Sequence, residues 1–433
     1  MRKFVLLLLV VAALGLGGVY IAAGFQAAPV IVVTTRGVFV GASIPFEFVA
    51  KPLGRPVTYT VTFEQNGART QVMSGEARAT VRGRISAANN PGLKVQTGPA
   101  RIVVTAGRRV WRMRTVESTT FADVTVRLEK PRVSPVSTKH YINLGGAEMI
   151  VYRATPADVE SGVKVGDLEY PGYPTTGDLH VAFFALRYDQ DIKAPMTLYA
   201  RDGSSDMATS EFDRMTLAKK AFKKSTIPLD NKFLDRVVPA ILAGTTEVAP
   251  TGSTIEKFVV INSELRKKNA ETIRSMAAKT APTMLWTEAF YPFTNTKAEA
   301  SFADYRTYVY QGKEVDKQVH LGFDLASFAN ASVVAANTGK VLFAQELGIY
   351  GNCVIIDHGM GVQSLYGHLS SFAVKAGDPV KKGQEIGKSG ITGLAGGDHL
   401  HFTMLVNGQM VNPIEWWDPH WIADRITRKL KEG

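Results

Sequence analysis

Behind Arg2-Lys3 the chain runs from Phe4 to Phe25 without a single charge. A helix needs about 20 apolar residues to cross the hydrocarbon core of a bilayer. A cleavable export signal needs roughly 7–15. The run therefore reads as a signal anchor, with the two basic residues on the inner side. Gly15, Gly17 and Gly18 are tolerated in such a helix, and Ala22 and Ala23 leave room for cleavage, so residues 1–28 are a signal anchor or a signal peptide. No cysteine lies near the segment, which excludes lipid attachment there. The remainder is expected to be exported, beyond the inner face of the membrane. It is either anchored in the inner membrane and facing the periplasm or cell wall, or secreted if the signal is removed.

An exported chain often relies on disulfides, yet Cys353 is the sole cysteine among 433 residues. Neither a disulfide framework nor a CxxC metal knuckle can be built. Stability must come from packed cores, which the 45% hydrophobic content supports, and the length suggests two to four domains. The net charge of +11 leans toward an anionic partner without choosing among nucleic acid, lipid headgroups and wall polymer.

The fold is expected to be mainly β. Residues 29–132 contain runs such as Val57-Thr58-Tyr59-Thr60-Val61-Thr62-Phe63, in which Val57, Tyr59, Val61 and Phe63 share one face. Asn66-Gly67, Asn90-Pro91 and Ala106-Gly107 read as turns. Strands at this spacing suggest an immunoglobulin-like β-sandwich. A proline-bearing link, 131–137, opens a second β-sandwich module at 133–212, with His180–Leu186 as a buried strand. Residues 213–285 read as a partly helical connector. Ser253 and Glu256 fit a capping box, and Phe258, Ile261, Leu265, Ile273 and Met276 fall near helical spacing before Pro282. Lys219, Lys220, Lys223 and Lys224 are expected on a solvated helix face. From 286 to 415, glycines punctuate short Val- and Ile-rich runs, as in an antiparallel β domain. The tail, 416–433, carries Trp416, Trp417 and Trp421 as packing anchors.

Six of the eight histidines lie between His320 and His420. His320 and Asp324 are four residues apart and fall on one face of a strand, or come closer if the chain turns at Gly322. His399 and His401, two apart, share a strand face while Leu400 points to the opposite layer. His368 lies in Tyr366-Gly367-His368-Leu369-Ser370. Three nitrogen or oxygen ligands drawn from these would leave a zinc ion one open position, the arrangement of a catalytic site. There is no HExxH glutamate, so an imidazole must do the acid–base work.

His320-Leu321-Gly322-Phe323-Asp324, Tyr366-Gly367-His368-Leu369-Ser370 and His399-Leu400-His401-Phe402, in that order and spacing, resemble the lysostaphin-type (M23, LytM-like) zinc metallopeptidase domain. The likeness covers roughly residues 286–415 and nothing diagnostic in 29–250. It implies one Zn2+ per chain held by His320, Asp324 and His401, with His368 and His399 as the two catalytic histidines. It implies a peptidoglycan endopeptidase that cuts peptide crossbridges, with D,D-endopeptidase activity favoured. The alternative is a non-catalytic LytM-like regulator of wall hydrolases, a class that usually lacks ligands. Peptidoglycan and the membrane are the expected partners, with wall-associated proteins besides and no nucleic acid. Two departures stand out: Ala303 occupies a position where glycine is common, and Asp398 precedes His399. Asp398 is read as a solvated loop charge, or as a group that raises the imidazole's pKa. His358 matches no functional position and is expected in a turn.

Overall fold

The computed structural model describes residues 2–35, 37–40, 43–51, 56–201, 207–217, 221–293 and 295–432. Lys219 and Lys220 lie outside the described residues. A helix spans Arg2–Gly24, and its Phe4–Gly24 portion, with mean hydropathy 2.7, is long and apolar enough to cross a membrane. The chain divides into two compact units, one of residues 1–131 with 201–208 and the other of 132–200 with 209–433.

The first unit holds a five-stranded sheet and a three-stranded sheet. Val57, Val61 and Phe63 of the strand Val57–Gln65 join Ile44, Phe48, Ile102, Val104 and Val126 in one buried cluster. The period-2 alternation of that strand is what places them there. Asn66 and Gly67 have φ of 51° and 79°, the left-handed pair that closes a two-residue hairpin. Ala106-Gly107 is not a turn: both residues lie inside the strand Gly98–Val110, and the chain reverses at Trp111 and Arg112, with φ of 47° and 59°. The alternating buried Ala100, Ile102 and Val104 carry the strand straight through that glycine.

The second unit takes in everything from 132 onward apart from 201–208. The proline-bearing stretch is not a free link, because Arg132–Pro135 pairs antiparallel with Ala147–Thr155. That strand pairs in turn with the buried strand Leu179–Ala185. The expected helical character of 213–285 starts later than its first residue. Lys224 opens a strand, Lys224–Leu229, that runs parallel to Asp304–Tyr310. Lys223 and Lys224 are thus not on a helix face; Thr226, Ile227 and Pro228 favour extended backbone. Helices begin at Asn231, where Asp230 caps the first turn through the Phe233 N–H. Ser253 and Glu256 form the reciprocal capping box. The helical run continues to Lys279, passing through a π-helical turn at Ile261–Leu265.

An antiparallel sheet of eight strands supports the histidines. Its central order is Phe323–Ala326, Leu400–Val406, Val362–Leu369, Asn352–Gly359 and Gly339–Glu346. Cys353, Ile355, Leu365 and Leu405 on one face pack against Leu234, Ile241, Phe258, Ile261, Leu265 and Ile273 of the helical connector. Each such side chain, once fully buried, contributes about 1.5–3 kcal/mol. The connector is therefore fixed over the same face toward which His401, in phase with Leu405, points. Trp416 is fully buried among Phe183, Trp286 and Phe290, and Trp417 packs on Phe323 and Phe402.

Candidate metal centre and active site

Asp324 and His401 sit opposite each other on neighbouring antiparallel strands. His320 ends the strand Lys313–His320, which belongs to a different, three-stranded sheet. The chain crosses between the sheets at Leu321-Gly322, so the four-residue spacing works through a turn. Gly322 has no room for a side chain: a Cβ there would lie 2.6 Å from Cε1 and Nε2 of His401.

Three donor atoms face one point. His320 Nε2 is 2.9 Å from Asp324 Oδ1 and 3.0 Å from His401 Nδ1, and His401 Nδ1 is 3.0 Å from Asp324 Oδ1. His320 Nδ1 lies 3.3 Å from the Ser301 carbonyl, a contact that needs the proton on that nitrogen and leaves Nε2 a bare lone pair. His401 Nε2 is buried with no hydrogen-bond partner among the described residues. Two imidazole nitrogens and a carboxylate crowded together have too few protons to satisfy one another. A divalent cation bound by nitrogen and oxygen donors fits that set.

Two further imidazoles flank these atoms. His368 lies on the strand Val362–Leu369 with φ of 62°, where the ladder to Asn352–Gly359 shifts register. This local irregularity re-aims the side chain. Its Nδ1 is 2.7 Å from the Thr392 carbonyl. His399 Nδ1 is 2.8 Å from the Gly397 carbonyl, and its Nε2 is 3.4 Å from Asp324 Oδ1. In both rings the carbonyl fixes the proton on Nδ1 and leaves Nε2 to face the site. The ring centroids are 4.8 Å apart.

Burial alone would raise the Asp324 carboxyl, but His320, His399 and His401 outweigh it and hold it well below the usual carboxylate range. Burial, reinforced by the neighbouring imidazoles, keeps His368 well below the ordinary imidazole value. Burial also lowers His401, to about 4. His399 goes the other way: burial opposes its charge, yet the Asp324 carboxylate overrides it and raises the pKa.

Several contributors were not visible in the sequence pattern. Arg306 Nη2 donates to Asp324 Oδ2 at 2.9 Å, holding the carboxylate in place. Tyr350 sets its ring edge-on to His401, with centroids 5.4 Å apart. The cavity of about 320 Å³ in front of the histidines is also lined by Ile227, Phe233, Phe258 and Arg266, all from 213–285. Ala303 has φ of 61°, which explains why glycine suits that position. Asp398 is tied to Ser389 Oγ at 2.5 Å and to the Asn330 N–H at 3.1 Å. His358 is not in a turn: it is buried within the strand Asn352–Gly359, between the Thr338 carbonyl at 2.8 Å and Ser364 Oγ at 2.7 Å. Cys353 is buried and burial pushes its thiol up, as befits a small packing residue.

Residues 318–413 match Peptidase family M23. The DD-carboxypeptidase/endopeptidase Mpg of Neisseria meningitidis is 42% identical over 97 residues, which is 22% of this chain and 22% of that protein. The peptidoglycan DD-endopeptidase ShyA of Vibrio cholerae is 38% identical over 96 residues, again 22% of each. The murein hydrolase activator NlpD of Salmonella typhimurium is 33% identical over 146 residues, 32% of this chain and 38% of that one. The chain thus spans about a fifth of the length of the first two relatives. All five residues of the cluster fall within the matched stretch, and the segment 318–413 is a peptidase family M23 domain.

Proposed function

We propose that this protein is a zinc-dependent endopeptidase that cuts peptide crossbridges of peptidoglycan, with D,D-bonds favoured. The observation that carries the reading is the convergence of His320 Nε2, Asp324 Oδ1 and His401 Nδ1 within 3.0 Å of one another, beside two imidazoles that present Nε2. His320, Asp324 and His401 would hold one zinc ion, which supplies Lewis-acid polarisation and an activated water. His368, whose Nδ1 is held by the Thr392 carbonyl, presents Nε2 as the proton acceptor. His399 Nε2, 3.4 Å from Asp324, is the better place for a proton and donates to the developing oxyanion. Arg306 keeps Asp324 oriented through its hydrogen bond to Oδ2. The DD-endopeptidase names of the relatives support the peptidoglycan substrate. The helix Arg2–Gly24 supports export, with the chain anchored and facing the periplasm or wall.

The test measures metal content and products together. The purified protein should carry about one zinc per chain and release cross-link cleavage products from peptidoglycan, identified by mass spectrometry. His401→Ala should lose both the metal and the products. Release that persists unchanged in His401→Ala and after chelation would overturn the reading. Stoichiometric zinc without any cleavage would favour a regulator of wall hydrolases instead, the role carried in the name of NlpD.

A further inference from the structure

A second cavity of about 630 Å³ adjoins the first, and Arg266, Ala270, Arg306, Val319 and Leu321 line both. Its wall carries Lys224, Arg266, Lys267, Arg306 and Lys317, and no carboxylate among the described residues lines it. Two of these cations are already engaged: Arg306 with Asp324 at 2.9 Å and Lys317 with Glu314 at 2.8 Å. Lys224, Arg266 and Lys267 have no carboxylate partner among the described residues. A groove of one sign, walled by protein, concentrates ligands of the opposite sign.

Arg266 sits where the two cavities meet, and its position is built. Nε donates to the Asn262 carbonyl at 2.9 Å and Nη2 to Asn262 Oδ1 at 2.6 Å. The Asn262 amide donates in turn to Asp316 Oδ2 at 2.8 Å. These bonds leave Nη1 uncommitted among the described residues. The residue follows directly on the π-helical turn Ile261–Leu265. Such turns cost helix geometry and recur at functional sites. A guanidinium held in this way is pre-organised for a planar carboxylate, so little side-chain freedom is lost on binding.

We propose that this groove is a subsite for a carboxylate of the peptide being cut, with Arg266 its specificity-determining contact and Lys224 and Lys267 assisting. The proposal rests on the peptidase reading for the substrate's position, because the groove opens onto the cavity that His320, His368, His399 and His401 line. The ligand class is an acidic peptide. Its carboxylate comes either from a side chain or from the chain end.

The full-length protein, loaded with zinc and kept in detergent, would be given three versions of one synthetic cross-linked stem peptide. One has all carboxylates free, one has the side-chain carboxylates amidated, and one has the terminal carboxylates amidated. One of the amidations should raise KM about tenfold with little change in kcat, and that arm identifies the source. Arg266→Gln should raise KM for the free acid about tenfold and leave the sensitive amide nearly unaffected. Lys267→Gln, on an exposed position, should act in the same direction but more weakly. Equal KM for all three peptides would overturn the subsite while leaving the peptidase reading intact. If no peptide is cut, fluorescence anisotropy with the same labelled peptides decides. Tighter binding of the free acid, lost in Arg266→Gln, supports the subsite although the peptidase reading has failed; equal binding overturns it.

Discussion

At the scale of single residues, the site depends on positions that carry no chemistry of their own. Gly322 is the clearest case, because the imidazole of His401 occupies the space a side chain would need. Gly322→Ala should push His401 off the point shared with His320 and Asp324. A displacement of a few tenths of an ångström to one ångström in a ligand or reacting group costs roughly 10–100-fold in metal affinity or rate. The expected outcome is a protein that folds, binds zinc at least tenfold more weakly in a chelator competition, and releases few products. Zinc affinity equal to that of the parent would refute this role for Gly322. The five polar residues of the cluster were legible because histidine and aspartate are scarce at such spacings in a β domain. Their supports were not. Nothing in the pattern marks Thr392 and Gly397 as the carbonyls that fix two tautomers, since any residue supplies a carbonyl. Asp398 allowed two readings because adjacency in sequence says little about direction: its carboxylate is bonded to Ser389 Oγ and the Asn330 N–H.

At the scale of elements, long-range polar contacts fasten the tail to a distant strand. Lys429, on the short helix Arg428–Leu430, donates to Glu148 Oε1 at 2.7 Å, and both side chains are fully buried. Burial raises the Glu148 carboxyl and lowers Lys429 to about 8, so desolvation opposes charge on both partners. Pairing offsets that cost, and removing one partner leaves the other charged and alone. Lys429→Met and Glu148→Gln should each destabilise the second unit by about 3 kcal/mol or more, read from urea unfolding. The double variant should recover at least half of the summed loss. Fully additive losses would mean that the two residues act independently. Strand and helix types were legible where periodicity was strong, as at Val57–Phe63 and Phe258–Met276. Packing across the sequence was not. The connector's place over the histidines depends on Leu265, Ile273 and Tyr350 meeting in one core. No local pattern encodes that meeting. The strand at Lys224–Leu229 was hidden for the same reason, since its partner lies far downstream at Asp304–Tyr310.

At the scale of the whole molecule, titration should separate the two units. All eight histidines fall in the second unit, and residues 1–131 and 201–208 hold none. Three of them, His140, His180 and His358, are buried away from the candidate metal centre. Burial, aided by Lys429, lowers His140 to about 3, and burial lowers His358 to about 4. Both stay neutral in the folded protein while the unfolded chain takes up protons near pH 6.5. The stability they contribute is therefore present above about pH 6.5 and is lost as the pH falls toward 4. Each accounts for up to about 3 kcal/mol over that window. A domain holding only 5–15 kcal/mol in reserve cannot absorb two such losses easily. Hydrogen exchange followed by mass spectrometry, with chelator present throughout and intrinsic rates corrected for pH, should show peptides from 132–200 and 209–432 losing protection between pH 6.5 and 4. Peptides from the first unit should keep theirs over the same range. Simultaneous loss in both units would mean that carboxylate protonation, not the buried imidazoles, sets the acid limit of this protein.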